Sequence, residues 1–353
     1  MGRVRDVSAA GSDWRRVDGE RVSVAAVPDY SGPIEYVRAR RKVIRAIRAA
    51  VGERDGVLLR VGSQIAACLE SGLRDGRPFG LEVLGDSDQV FAPGAISHPL
   101  RPFLRWWFGR QLRSQCRRAS AVSYATGNVL QRLYPASQGA YVTSYVNLEL
   151  EEDAFVERGR TFPVPPDPLR IVSVGAMSQP YKGFDVLIDA VSACARRGLR
   201  CELSIVGDGA RRRSLEELAE RSGAGERVHF LGTLPAGPAV RAQLDRADLF
   251  VLASKTEGLP KVMVEAMARA LPCLGSAVGG IPELLDEDCL FPRGDAASLA
   301  RLIGEVGLDP ARLTSMSAVN LERSRRYGDE VMDQKRQAFL CHLHGVTLND
   351  LRH

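Results

Sequence analysis

The 353-residue chain has no hydrophobic run near the ~18 residues that cross a bilayer, so no transmembrane helix is expected. Its opening MGRVRDVSAAGSDWRR is polar and lacks the apolar centre of a signal peptide, and the chain reads as cytoplasmic. The seven cysteines (Cys68, Cys116, Cys194, Cys201, Cys273, Cys289, Cys341) are odd in number, scattered, and form no CxxC pair. That excludes a disulfide framework or a zinc finger and fits free thiols in a reducing compartment. Charge is nearly balanced, at +5, and aromatics make up only 6%. No aromatic-plus-basic RNA signature is present, so no nucleic-acid partner is expected. Internal repeats of solenoid period are absent as well.

What is present is a globular composition, 45% hydrophobic and 26% charged, with 34 glycines of the kind that tight turns between strands and helices require. The length exceeds a single domain, so two domains of similar size are expected. Strand-like runs (Val22–Val27, Val57–Val61, Phe79–Leu84, Ala119–Ala125, Tyr141–Tyr145) alternate with helical stretches at 33–51, 63–73, 100–118 and 129–134. Such alternation specifies a parallel α/β sheet. Proline-rich TFPVPPDP (161–168) reads as an interdomain linker. A second α/β unit follows, with strands at 170–175, 203–206, 228–231, 248–253 and 272–277. Helices are expected at 239–247, 296–306, 311–326 and 329–343.

The densest information lies in Ala253–Pro282, ASKTEGLPKVMVEAMARALPCLGSAVGGIP. An apolar strand runs into a short polar loop ending at Gly258, then into a helix that Pro260 is suited to start. Lys261, Glu265 and Arg269, spaced i, i+4, i+8, form the one polar stripe on that helix. A strand, a glycine loop and a helix N-terminus present backbone N–H groups to a phosphate. The flanking carboxylates, Glu257 and Glu265, are suited to paired sugar hydroxyls. In the plainer alternative, Glu265 bridges Lys261 and Arg269 while Glu257 is a solvated loop residue.

Glu257, seven residues, then Glu265, inside TEGLPKVMVEAMA and followed by AVGGIPEL, resembles the signature of the family 4 (group 1) retaining glycosyltransferases. The resemblance is good over about 170–306 and loose over the first half. It implies the GT-B architecture, two Rossmann-like domains facing a cleft: an acceptor-side domain over 1–162, a nucleotide-sugar domain over 169–327, and a terminal helix over 328–353 that returns to the first domain. Members begin with a strand, a Gly-rich loop and a helix. Only about 20 residues precede Val22, so that first unit is expected to be missing, with the acceptor side altered.

The resemblance also implies roles. Glu257 would bind donor-sugar hydroxyls near the anomeric carbon, and Glu265 the ribose hydroxyls. The N–H groups of Gly258 and Leu259, with Lys182 in GAMSQPYKG, would meet charge developing on the nucleoside diphosphate. Gly175, Gly207 in Gly207-Asp208-Gly209, and Gly232 with Thr233 would line the donor pocket; a lone GxG is equally a tight turn. Ala176 stands where members usually carry an arginine, which implies weaker donor binding or an alternative cation such as Lys255. Asp86 or Asp88, in Asp86-Ser87-Asp88, would face the acceptor hydroxyl or else simply cap the next turn. No metal and no other cofactor is implied. The partners implied are a nucleotide-sugar donor and a glycan or lipid-linked acceptor, in cell-envelope or exopolysaccharide synthesis. Leu100–Arg118, with six arginines beside Trp106, Trp107 and Phe108, is either a helix with an ordinary solvated face or a peripheral contact with a membrane. His98 reads as structural. A GT-B nucleotide-sugar epimerase and a non-catalytic nucleotide-sugar-binding remnant are the rival functions.

Overall fold

Strands buried on both faces need helices on both sides, and the chain supplies them. The computed structural model describes residues 2–4, 26–28, 32–52, 55–61, 76–86, 88, 100–148 and 150–350. Short strands β1 (Gly2–Val4) and β2 (Ala26–Pro28) pair in parallel. Helix α1 (Gly32–Ala50) follows. The first main sheet is β3 (Leu58–Arg60), β4 (Gly80–Val83), β5 (Ala121–Tyr124) and β6 (Tyr141–Ser144), all parallel and in that spatial order. Helix α2 (Arg101–Arg118) precedes β5, and the short α3 (Val129–Leu133) follows it. The helix expected at 63–73 and His98 lie outside the described residues, and so do residues 22–25 of the first expected strand.

The second sheet has β7 (Leu169–Val174), β8 (Cys201–Val206), β9 (Val228–Gly232), β10 (Leu249–Leu252), β11 (Cys273–Ser276) and β12 (Leu290–Phe291). Its spatial order is β12-β11-β10-β7-β8-β9, parallel throughout. The order therefore reverses between β7 and β10, and a crevice opens beyond the carboxyl ends of those two strands. The connecting helices are α4 (Phe184–Arg196), α5 (Arg212–Arg221), α6 (Pro238–Arg246), α7 (Lys261–Ala268), α8 (Ile281–Leu284), α9 (Ala296–Gly307) and α10 (Pro310–Ser324). Leu249–Leu252 is wholly buried, as its uninterrupted apolar run requires. Two strands carry no readable pattern: β1, and the two-residue β12. Pro260 turns out to be the cap before α7, with ψ 101°, and Lys261 is the first helical residue.

Helix α11 (Asp329–Asp350) leaves the second sheet and lies on the first. Its Phe339 and Leu343 cover Gly80, where a Cβ would come within 3.2 Å of Phe339 and 2.8 Å of Leu343. His342 stacks on Tyr141 at 4.8 Å, and Arg336 sits over the Tyr145 ring. Asp329 fixes the start of the helix by accepting the Leu150 N–H at 2.7 Å.

Candidate functional site

The crevice at the strand-order reversal holds a cavity of about 820 Å³. Its walls come from the second domain and from the segment crossing between the sheets, residues 147–154. Of the residues singled out in the sequence, Gly175, Lys182, Glu257, Leu259 and Glu265 line it together.

Lys182 arrives by a tight turn after β7. The left-handed Gly183 (φ 67°) ends that turn, and a Cβ there would lie 1.9 Å from the Ala253 carbonyl oxygen. Only glycine fits so close to another backbone. The Lys182 Nζ donates to Glu257 Oε1 at 2.7 Å, and Ser254 Oγ donates to the same oxygen at 2.6 Å. Both charged side chains are nearly enclosed, 14% and 11% exposed. The pair thus meets in a low-dielectric crevice, where each charge depends on the other.

Glu265 faces the cavity from α7. Burial raises its carboxyl above the ordinary carboxylate range, opposed by the charges of Lys261 and Arg241. The alternative bridge to Arg269 is not formed, because Arg269 binds both oxygens of Asp245, at 2.7 and 2.8 Å. Lys255, the substitute cation for Ala176, turns to Asp185 at 2.7 Å and does not line the cavity.

Sequence reasoning missed two contributors. Arg241 on α6 lines the cavity and holds Asp153 of the crossing segment through two hydrogen bonds, at 3.0 and 3.1 Å. Asn147, Leu148 and Leu150 add a wall from the same segment. Only the strand-order reversal could have pointed to them, and it is not readable from spacing.

The other candidates stand apart from the cavity lining. Gly207 (φ 137°) donates its N–H to the Gly232 carbonyl at 2.8 Å, and a Cβ there would lie 2.0 Å from the Gly175 carbonyl oxygen. It is thus a close-packed strand end, with Gly232 and Thr233 beside it. Gly258 packs against the first domain, where its Cβ position lies 2.3 Å from the Leu84 carbonyl oxygen. Asp86 is a correction to the acceptor-facing expectation. It is buried, and its Oδ1 accepts the Asp88 N–H at 2.9 Å and the Tyr134 hydroxyl. The carboxylate therefore caps its own turn and anchors Tyr134. Among the described residues, no group of three or more His, Cys, Asp or Glu side chains is placed to hold a metal ion.

Residues 168–308 match the family described as Glycosyl transferases group 1. Protein CapJ of Staphylococcus aureus is 26% identical over 315 residues, 85% of this chain and 75% of CapJ. The amylovoran biosynthesis glycosyltransferase AmsK of Erwinia amylovora is 33% identical over 169 residues, 44% of this chain and 41% of AmsK. The putative colanic acid biosynthesis glycosyltransferase WcaL of Escherichia coli is 35% identical, over 40% of this chain and 37% of WcaL. The chain thus spans three quarters of CapJ but about two fifths of the other two. Among solved structures, sucrose-phosphate synthase of Thermosynechococcus elongatus superposes with a TM-score of 0.67 at 21% identity, over 90% of this chain and 81% of that one. Anabaena HepE, solved in complex with UDP and glucose, gives 0.64 at 19% identity, over 90% and 85%.

Proposed function

Starting from a chain that carries a group 1 glycosyl transferase domain on a GT-B fold, and so is a glycosyltransferase, we propose that it moves a sugar from a nucleoside diphosphate sugar to an acceptor hydroxyl with retention. The observation that carries this reading is the convergence of Lys182, Glu257 and Glu265 on one cavity at the strand-order reversal. Glu265 accepts hydrogen bonds from the ribose hydroxyls. Lys182 gives up part of its contact with Glu257 to the diphosphate, and Glu257 then takes donor-sugar hydroxyls. The bond from the anomeric carbon to the diphosphate oxygen breaks as the acceptor hydroxyl attacks the same face. Its proton passes to the departing diphosphate, whose charge Lys182 stabilises. The acceptor belongs to exopolysaccharide or cell-envelope synthesis, in keeping with what AmsK and WcaL are named for.

The test is calorimetric titration of UDP, GDP and ADP into the protein, followed by turnover of the sugar nucleotide with the tightest-bound base. One base should bind and its sugar nucleotide should turn over. Binding of none would sink the reading. Glu265→Gln should weaken that nucleotide by roughly ten- to a hundredfold, the worth of hydrogen bonds to a charged group. The same variant should melt higher near neutral pH. With the native carboxyl titrating above the unfolded one, the folded state keeps its proton to higher pH. Stability therefore falls as pH rises through the native value and stays reduced above it. The gain should vanish below the ordinary carboxylate range, and an equal gain at all pH values would contradict the account.

We also assign the outer face of α2 to an anionic membrane surface, where a lipid-linked acceptor would be presented. Gly109, Leu112, Gln115 and Cys116 face inward, whereas Phe103, Trp106 and Trp107 are 54%, 58% and 50% exposed. The Phe103 ring lies 6.0 Å from Trp106 and 6.1 Å from Trp107, centroid to centroid, Arg110 lies over Trp106, and the helix carries six arginines and no acid. Apolar rings among cations are the pattern of an interfacial helix. The triple replacement of Phe103, Trp106 and Trp107 by serine should lower co-sedimentation with phosphatidylglycerol vesicles by about tenfold. Unchanged co-sedimentation would remove the assignment.

A further inference from the structure

Glu283 stands outside the cavity, inside the short α8 and just past the Gly279-Gly280 turn that enters it. Its carboxylate crosses to the first domain and accepts three consecutive backbone N–H groups there. Oε1 takes Asn128 at 2.9 Å and Val129 at 2.6 Å, and Oε2 takes Gly127. Asn128 occupies the cap position of α3 without a side-chain cap of its own. These amides are thus satisfied by a residue more than 150 positions away in the chain.

The same turn is bonded to the loop carrying Glu257. Gly280 N–H donates to the Gly258 carbonyl at 2.7 Å. Gly279 (φ 54°) lies so close that a Cβ would sit 2.1 Å from the Glu257 carbonyl oxygen. The Cβ position of Gly280 is 3.1 Å from Thr126 Cγ2, so the turn is clasped between the two domains. A continuous path therefore runs from the Gly127–Val129 amides through Glu283 and Gly280 to Gly258 and Glu257. Gly258 in turn abuts Leu84 of the first domain.

We propose that Glu283 is a positioning residue: by gripping the Gly127–Val129 amides it holds the two domains together and sets the Glu257–Gly258 loop against the acceptor side. It touches neither substrate. Its effect passes through the Gly280–Gly258 hydrogen bond and through closure of the cleft. None of Gly127, Asn128 and Val129 lines the cavity, so nucleotide binding does not depend on the grip. Transfer does, because the acceptor must be met from the other side.

The test compares Glu283→Gln with the unaltered full-length protein. Gln keeps the shape but replaces one acceptor oxygen by an NH₂ that faces an N–H donor, so the charge and at least one of the three bonds are lost without a cavity. Amide exchange at Gly127–Val129, followed by mass spectrometry, should speed up by tenfold or more, since these groups then open to water. In the turnover assay, which rests on the glycosyltransferase reading, kcat should fall by about ten- to a hundredfold, while nucleotide Kd stays within about twofold. Glu283→Asp, too short to span all three amides, should lie between the two. Unchanged exchange at these amides, or kcat within twofold of the unaltered protein, overturns the proposal. A fall in nucleotide affinity that parallels the fall in kcat overturns it too, because the residue would then support the whole fold. If the unaltered protein turns over no sugar nucleotide, the glycosyltransferase reading fails, and the exchange measurement still decides whether Glu283 holds the domains.

Discussion

Lys182→Ala is expected to lower sugar transfer by about two to three orders of magnitude, the range for removing one preorganised donor from a developing anion. Lys182 is the cavity cation bonded to Glu257, and Ala176 supplies no second cation beside it. Lys255 cannot substitute while it is held by Asp185. The same change leaves Glu257 enclosed with only the Ser254 hydroxyl for company, which should destabilise the protein by about 1–3 kcal/mol. Adding Glu257→Ala should recover most of that stability and none of the activity. Steady-state kinetics and chemical denaturation of the two single variants and the double variant form the test. If the two stability losses simply add, the ion pair is not the reason for either.

Gly258→Ala is expected to have the second largest effect. The added methyl would lie 2.3 Å from the Leu84 carbonyl oxygen, a backbone atom of the opposite domain, so neither side can yield by rotating a side chain. The cleft must open by about 1 Å to admit it, and displacement of that size costs about a hundredfold in rate. Nucleotide affinity should change less than threefold, because the cavity walls lie in the second domain and the crossing segment. Calorimetry beside kinetics separates the two quantities. Full activity in this variant would mean that the enzyme works with the cleft wider than this structure has it.

The sequence made the second domain far more legible than the first. Leu249–Leu252, a strand with no polar break, followed by a glycine loop, leaves little choice of structure, and Glu257 and Glu265 meet in one cavity as their spacing implied. Asp86 went the other way. A carboxylate at a strand end reads as available until Tyr134, 48 residues later, is seen to claim it. Arg241 and Asp153, 88 residues apart, pose the same difficulty, since neither carries a local sign of its partner. Local periodicity fixes elements and motif loops. Pairings between distant side chains depend on strand order, which no window of sequence contains.

The return of α11 to the first sheet has a consequence for how the chain is made. Phe339 and Leu343 cover Gly80 of β4, and the helix that carries them packs on β5 and β6, elements made some 200 or more residues earlier in synthesis. Until those side chains leave the ribosome, the nascent first domain holds its sheet with the cover over Gly80 absent. The second sheet, by contrast, is drawn from contiguous sequence and needs no such wait. The domain that is translated first therefore cannot complete its core until the last helix is made.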